Sequence, residues 1–342
     1  MLVTKQPVLR RFWYPVMPSS RLNGDPQPFT LLGSDIVLWR GSNGEVACVR
    51  DRCCHRTAKL SLGFIEQGHL VCGYHGWTYR TDGVCVRIPQ RENPDNVSNQ
   101  VRVPAYRATE RYGYVWVALD DPLTDIPMLP EAAELGFRQV DQFYEPWNIG
   151  AFRLMENSFD AAHIAFVHRK TFGNMERPRT DGHHDLRTTP FGFETFNEAP
   201  VKVRGEIAHR AVHTNSGETV RRSQSTWYMP FVRRLAIHYP HGLIHSIVTC
   251  ATPMTDKTSM ILQWAYRNDT EAQVSAADVV AFDRAVTLED KRILESCDPD
   301  VPLADHDGEE MHMRTDYPGV VMRRMFTKLL SDHGESEQRY GL

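Results

Sequence analysis

Cys53-Cys54-His55, followed after sixteen intervening residues by Cys72-Gly73-Tyr74-His75, is the stretch that decides how the chain must fold. It holds a C-x-H pair and a C-x2-H pair. Two thiolates for one iron and two imidazoles for the other are the donor set of a [2Fe–2S] centre of mixed ligation. A structural zinc ion also accepts two cysteines and two histidines. The close C-x-H spacing argues against zinc, and histidines at both matched positions argue against a disulfide. Each pair must sit in a tight loop, and Gly73 and Gly76 let the second loop turn sharply.

The text around these loops reads as strands. Ile36-Val37-Leu38-Trp39, the turn Gly41-Ser42-Asn43-Gly44 and the alternating run Glu45 to Val49 predict a hairpin ahead of the first loop. Leu70-Val71-Cys72 entering and Trp77-Thr78-Tyr79 leaving predict a second hairpin, and Thr81-Asp82-Gly83 turns the chain into Val84-Cys85-Val86. Two hairpin tips can then meet around one cluster. Tyr112 to Leu119 predicts a further strand. Pro122, Pro127 and Pro130 mark a boundary, dividing the chain into residues 1–125 and 126–342.

The 342 residues suffice for two domains with a sizeable core. A net charge of −4 gives no sign of a nucleic-acid or anionic-membrane partner. No apolar run has membrane-spanning length, and the N-terminal stretch lacks a signal-peptide core, so the expected location is the cytoplasm. The seven cysteines do not form a disulfide framework. Cys48, Cys54, Cys85, Cys250 and Cys297 read as small buried hydrophobes or ordinary thiols.

The second region opens with an expected helix, with Asn148 as N-cap and an apolar stripe of Phe152, Met155, Phe159, Ala162 and Phe166. Its polar residues form the pattern Asn157-x2-Asp160-x2-His163-x4-His168. Asp160 and His163 are i, i+3 neighbours. His163 and His168 stand roughly 140° apart on an ideal helix, so both reach one metal only if the helix ends or widens near His168. Residues 170–190, with Asp181-Gly182-His183-His184, read as a loop and a lid candidate. Strands fill 191–267. A helix over Ala276 to Ser296 buries Val279, Phe282, Val286, Ile293 and Cys297. Asp283 and Asp290 both fall near the centre of that stripe, where a carboxylate is costly without a partner, and the pattern does not separate them. Val320 to Leu330 is expected to form a short amphipathic helix. Trp227 to Phe231, His238, Tyr239 and Leu243 are pocket candidates, with core packing the blander alternative.

Two histidines and one carboxylate are the ligand set of a non-haem Fe(II) site that activates O2. His163 and His168 supply the nitrogens, and Asp290 is the best candidate for the carboxylate. Such a site needs electrons singly, and a [2Fe–2S] cluster is a one-electron carrier. Each site explains the presence of the other.

The combination resembles the Rieske-type non-haem iron oxygenases over nearly the whole chain, with Arg11-Phe12-Trp13-Tyr14-Pro15-Val16, Asp51-Arg52-Cys53-Cys54-His55-Arg56 and Glu289-Asp290-Lys291 as matching flanks. The appearance is nearest to N- and O-demethylating and alkaloid-hydroxylating members. The resemblance implies an α+β chain. An N-terminal all-β Rieske domain would precede a catalytic domain whose curved antiparallel sheet wraps on helices in a helix-grip arrangement. It implies a [2Fe–2S] cluster on Cys53, His55, Cys72 and His75, and Fe(II) on His163, His168 and Asp290. It implies O2 as co-substrate and a homotrimer in which Asp160 bridges His163 of one chain to His75 of the next. Asn157 would line the iron pocket. The expected reaction is monooxygenation, as hydroxylation or oxidative demethylation of a small ring-containing substrate. No Gly-rich dinucleotide fingerprint is present, so NAD(P)H would serve only through a separate reductase or ferredoxin. The alternatives are an aromatic-ring cis-dihydroxylating dioxygenase and, from another class, a Rieske electron-transfer protein without catalytic iron. One departure stands out. Many relatives carry glycine two places after the first histidine, where this chain has Thr57.

Overall fold

The computed structural model describes residues 1–178, 185–304 and 310–340. The chain forms two compact units, one of Leu9–Ile126 and one of Met1–Val8 with Pro127–Leu342.

The first unit is all β. Its strands are β1 (Tyr14–Pro18), β2 (Gln27–Leu31), β3 (Ser34–Arg40), β4 (Val46–Arg50), β5 (Phe64–Glu66), β6 (His69–Val71), β7 (Thr78–Tyr79), β8 (Cys85–Arg87), β9 (Arg107–Arg111) and β10 (Tyr114–Ala118). They form small antiparallel sheets in the orders β1-β10-β9, β2-β3-β4 and β5-β6-β7-β8. The predicted second hairpin is present, with Leu70 opposite Tyr79 and Val71 opposite Thr78. One core joins Val37, Trp39, Val49, Leu70 and Tyr79 beneath the two ligand loops, and it includes Cys53 and Cys72 themselves. The strand expected from Tyr112 starts two residues later. Tyr112 (φ 59°) and Gly113 (φ 79°) make the left-handed turn that joins β9 to β10.

The second unit is α+β. Its elements are β11 (Arg138–Trp147), α1 (Ala151–Asn157), α2 (Ile164–Val167), β12 (Asp185–Thr189), β13 (Gly192–Lys202), α3 (Glu206–Ala211), β14 (Glu218–Tyr228), β15 (Val232–His238), β16 (Ile244–Pro253), β17 (Ser259–Arg267), α4 (Ala276–Leu294) and α5 (Tyr317–Asp332). The seven strands make one antiparallel sheet in the order β11-β17-β16-β15-β14-β13-β12. All of β17 is buried, so both faces of the sheet are covered there. Helix α4 lies on one face, packing Phe282 against Ile237, Tyr239 and Leu243. Burying such a side chain is worth about 1.5–3 kcal/mol. Ser275 caps α4 by accepting from the Asp278 N–H at 3.1 Å, a contact worth about 1 kcal/mol. No helix among the described residues is long and apolar enough to cross a membrane.

Several local expectations need correction. The helix expected from Asn148 is two helices. Gly150, not Asn148, stands at the N-cap of α1, and the Asn148 N–H donates to Glu295. The chain leaves α1 after Asn157 because the Asp160 carboxylate accepts from the Ala162 N–H at 2.6 Å, a side-chain turn that competes with helical bonding. Phe166 is consequently off the core and 53% exposed. On α4 the buried stripe passes through Leu294 rather than Ile293, which is 48% exposed. Cys54 is exposed and Cys297 half-buried, while Cys48, Cys85 and Cys250 are buried. Asp181, Gly182, His183 and His184 of the lid candidate lie outside the described residues.

Candidate metal centres

The cluster loops are fixed by backbone bonds. The Cys53 N–H donates to Ala58 O and the Thr57 N–H returns to Cys53 O, while the Cys72 N–H donates to Trp77 O and the Gly76 N–H to Cys72 O. Gly76 takes φ 73°, the left-handed conformation that closes the second loop. Thr57 takes φ 60°, a region that a β-branched residue enters only under strain. The left-handed conformation thus falls at the position where the resemblance leads one to expect glycine.

The four donors meet. Cys53 and Cys72 are each 2% exposed. The rings of His55 and His75 stand edge to face at 4.6 Å, and Trp77 stacks on His55 at 4.5 Å. Nδ1 of His55 is buried without a protein partner, an orphan that an iron would satisfy. The hydroxyl of Tyr79 lies 3.0 Å from the Cys53 sulfur and 3.3 Å from that of Cys54. Burial, with both sulfurs beside it, pushes that hydroxyl well above its ordinary pKa, so it stays protonated. A hydrogen bond to a ligating sulfur is one of the levers on cluster potential.

In the second unit His163 and His168 flank the single turn of α2, one at each end. Their Nε2 atoms face each other at 3.2 Å. Asp290 Oδ1, from α4, lies 3.5 Å from the first and 3.4 Å from the second. The three donor atoms lie within 4.8 Å of one another. The outer nitrogens face carboxylates: His163 Nδ1 is 3.4 Å from Asp160 Oδ2, and His168 Nδ1 is 3.1 Å from Glu289 Oε2. A His168 Nδ1 that donates to Glu289 leaves its Nε2 lone pair facing His163 and Asp290, while Nδ1 of His163 is buried with no hydrogen bond. Two imidazole nitrogens and a carboxylate oxygen gathered this closely are a donor set that a divalent cation satisfies, so these residues fit a metal ion. Burial, with His163 and Arg221 nearby, lowers the His168 pKa to about 3, which keeps it the neutral imidazole that ligation requires. Burial pushes the Asp290 carboxyl up, against His163, Asn157 and Arg233, which pull it down. Burial also pushes Asp160 up, but His163 and the loop N–H groups carry it below the usual range, so it is ionised.

Pattern left Asp283 and Asp290 equal, and packing parts them. Asp283 accepts from Gln142 and sits 3.0 Å from His245 Nε2. Asn157 lines the cavity beside the metal residues and donates to Asp290 Oδ1 at 3.4 Å. That cavity, of about 220 Å³, is walled by residues of β13 to β17 that are odd-numbered except for Phe196, including Leu235, Ile237, Ile247 and Ile261. The aromatic pocket candidates lie elsewhere: Trp227, Phe231, Tyr239 and Leu243 are core, each at most 5% exposed, because bulky strand aromatics are held by packing. Sequence reasoning missed Glu289, Arg221 and Arg233, and in the first unit Tyr79 and Trp77. Strand parity would have grouped the arginines with the cavity wall, had the inward face been known.

Known proteins resemble both parts of the chain. Residues 12–107 match the Rieske [2Fe-2S] domain, and residues 149–332 match the vanillate O-demethylase oxygenase C-terminal domain. Methylxanthine N1-demethylase NdmA of Pseudomonas putida is 30% identical over 353 aligned residues, covering 97% of this chain and 92% of that one. The solved structure of Pseudomonas putida NdmA with caffeine aligns with a TM-score of 0.81 at 26% identity, covering 97% and 94% of the two chains. Dicamba monooxygenase bound to 3,6-dichlorosalicylic acid shares the fold, with a TM-score of 0.82 at 20% identity over 96% and 99% of the chains. The expected α+β architecture and the family resemblance are both borne out, and the chain belongs to the Rieske non-haem iron oxygenases, as a monooxygenase-type enzyme that oxygenates a small organic substrate with O2.

Proposed function

We propose that the chain hydroxylates, or oxidatively N- or O-demethylates, a small ring-containing substrate, using electrons from a separate reductase or ferredoxin. Residues 1–125 would carry the [2Fe–2S] cluster on Cys53, His55, Cys72 and His75. Residues 126–342 would hold Fe(II) on His163, His168 and Asp290. The observation that carries this reading is the convergence of two imidazole nitrogens and one carboxylate oxygen on one side of a largely apolar cavity, in a chain that also bears Rieske loops.

When bound, the iron supplies the activation of O2 and the cluster supplies electrons one at a time. The protein's own work is positional. Glu289, steadied by the Thr171 hydroxyl at 2.7 Å, accepts the His168 Nδ1 proton and fixes that ring's tautomer. Asn157 orients Asp290. The aliphatic walls exclude water from the reacting carbon. Asp160 lies 3.4 Å from the outer nitrogen of His163, and in a homotrimer it would bridge that ring to His75 of a neighbouring subunit, linking cluster to iron across the interface.

Fully loaded protein should contain about three irons per chain and show a Rieske-type electron paramagnetic resonance signal on reduction. With a surrogate reductase and a methylated substrate it should consume O2 and release formaldehyde, and labelled O2 should leave one atom in product. Two irons per chain in fully loaded protein, or both labelled atoms in product, would sink the reading. Asp160→Ala should keep both metals and normal cluster reduction yet lose coupled turnover by roughly a hundredfold or more. Unchanged steady-state turnover in that variant would refute the bridge.

A further inference from the structure

Among the described residues, the cavity wall contains two guanidinium groups that form no ion pair. Arg221 of β14 and Arg233 of β15 both line the cavity. Their sequence neighbours point to the opposite face of the sheet and are paired: Arg222 with Glu198, and Arg234 with the buried Glu131. Parity therefore sorts the four arginines. The outward two have carboxylates, whereas among the described residues the inward two form no ion pair. The Nε atoms of both Arg221 and Arg233 are buried and without a hydrogen-bond partner. What surrounds them is aromatic and neutral. Arg221 lies over the Phe172 ring at 4.6 Å, Arg233 lies over Phe159 at 5.5 Å, and Arg233 donates to the Ser225 hydroxyl at 3.4 Å.

A charged group taken out of water needs a counter-charge. The Asp290 charge acts on Arg233, but a metal held by His163, His168 and Asp290 would draw on that same carboxylate. Of the other acids at the cavity, Asp160 faces His163 and Asp283 is taken by His245 and Gln142. An anionic group on a bound substrate would supply the counter-charge that the two guanidiniums lack. A guanidinium is also shaped to take a planar carboxylate on two parallel N–H bonds.

We propose that the substrate enters as a small ring carboxylate, its carboxylate seated on Arg221 and Arg233 beside Ser223 and Ser225, and its ring against the aliphatic wall. This rests on the oxygenase reading for the placement of iron and names the substrate class for that site. Arg221 and Arg233 are specificity-determining residues here.

The test is a binding measurement on metal-loaded, full-length protein without any electron supply. Matched acids and amides are compared by equilibrium dialysis: 4-methoxybenzoate with 4-methoxybenzamide, and likewise phenylacetate and indole-3-carboxylate with their amides. Acids should bind at least about tenfold tighter than their amides. Arg221→Gln and Arg233→Gln should bring the ratio close to one by weakening the acids, with an unchanged mononuclear iron content and thermal unfolding of the second unit reporting an intact fold. The wild-type comparison stands without either variant, should these fail to fold. Amides bound as tightly as acids, no acid bound anywhere in the panel, or a ratio unmoved in a folded variant would overturn the proposal. If the oxygenase reading alone fails, acid preference persists while O2 uptake under electron supply is absent. If this proposal alone fails, neutral substrates bind and are oxygenated normally.

Discussion

The cluster loops draw all four candidate ligands from residues 53–75 and hold them on two hairpin tips, whereas the iron-site residues 163, 168 and 290 meet only after the seven-stranded sheet and α4 have packed. The first site is a local object. Its geometry is set by backbone bonds within each loop, such as Cys53 N–H to Ala58 O and Cys72 N–H to Trp77 O. The second is a tertiary object. Its two histidines come from a broken helix and its carboxylate from a helix more than a hundred residues later, and each is steadied by a further carboxylate or amide. A local site tolerates change elsewhere in the chain. A tertiary site inherits every weakness of the packing that assembles it.

The widest separation should come from removing one ligand at a time. His163→Ala should lose about one iron per chain and all oxygenation while keeping the Rieske resonance signal, whereas His55→Ala should lose that signal, and oxygenation with its electron supply, while keeping the mononuclear iron. Loss of both signals in either variant would show that the sites do not assemble independently.

Glu289→Gln probes the support of the tertiary site without touching a ligand. Iron affinity, read by titration with a chelator, should fall about 10- to 100-fold, while cluster content stays constant.

Acid should press on the second unit through the network beneath α1 and α5. Burial raises the Glu310 carboxyl, but Arg153 and Arg323 carry it down to about 2. A carboxyl lowered on folding stabilises the native state above its unfolded value, near 4.5, and that contribution is lost as pH falls from there towards 2. Allowing for its partial exposure, the loss is about 1–2 kcal/mol. Calorimetry between pH 5 and about 3 should show the Glu310→Gln variant starting less stable and losing less than the parent. Parallel curves would remove Glu310 from the account.

The smallest effect belongs to the cluster loop. Thr57→Gly should relieve the left-handed strain and stabilise the first unit by about 1 kcal/mol or less, since glycine also gains freedom when unfolded. A lowered melting temperature would mean that Thr57 makes a compensating contact.

How far the sequence could be read follows the same division. The hairpins around both cluster loops were legible because strand alternation and turn residues act over a few positions. The histidine pair was legible as a pattern, along with the demand that its helix be interrupted. The interruption itself comes from Asp160 bonding the Ala162 N–H, earlier than the expected end near His168. Arg221 and Arg233 were invisible as cavity residues, although their spacing from Arg222 and Arg234 was in plain view.

By itself the sequence determined the chemistry: which donor atoms exist, in what order, and at what spacing in each loop, because ligand type and short-range geometry are properties of neighbouring residues. Only the tertiary structure decided that Asp290 lies beside the histidines while Asp283 turns to His245 and Gln142, and that the odd-numbered side of β13 to β17 is the cavity wall. A strand or helix carries two faces with equal local claim to the interior, and the choice between them is made by the elements that pack against it.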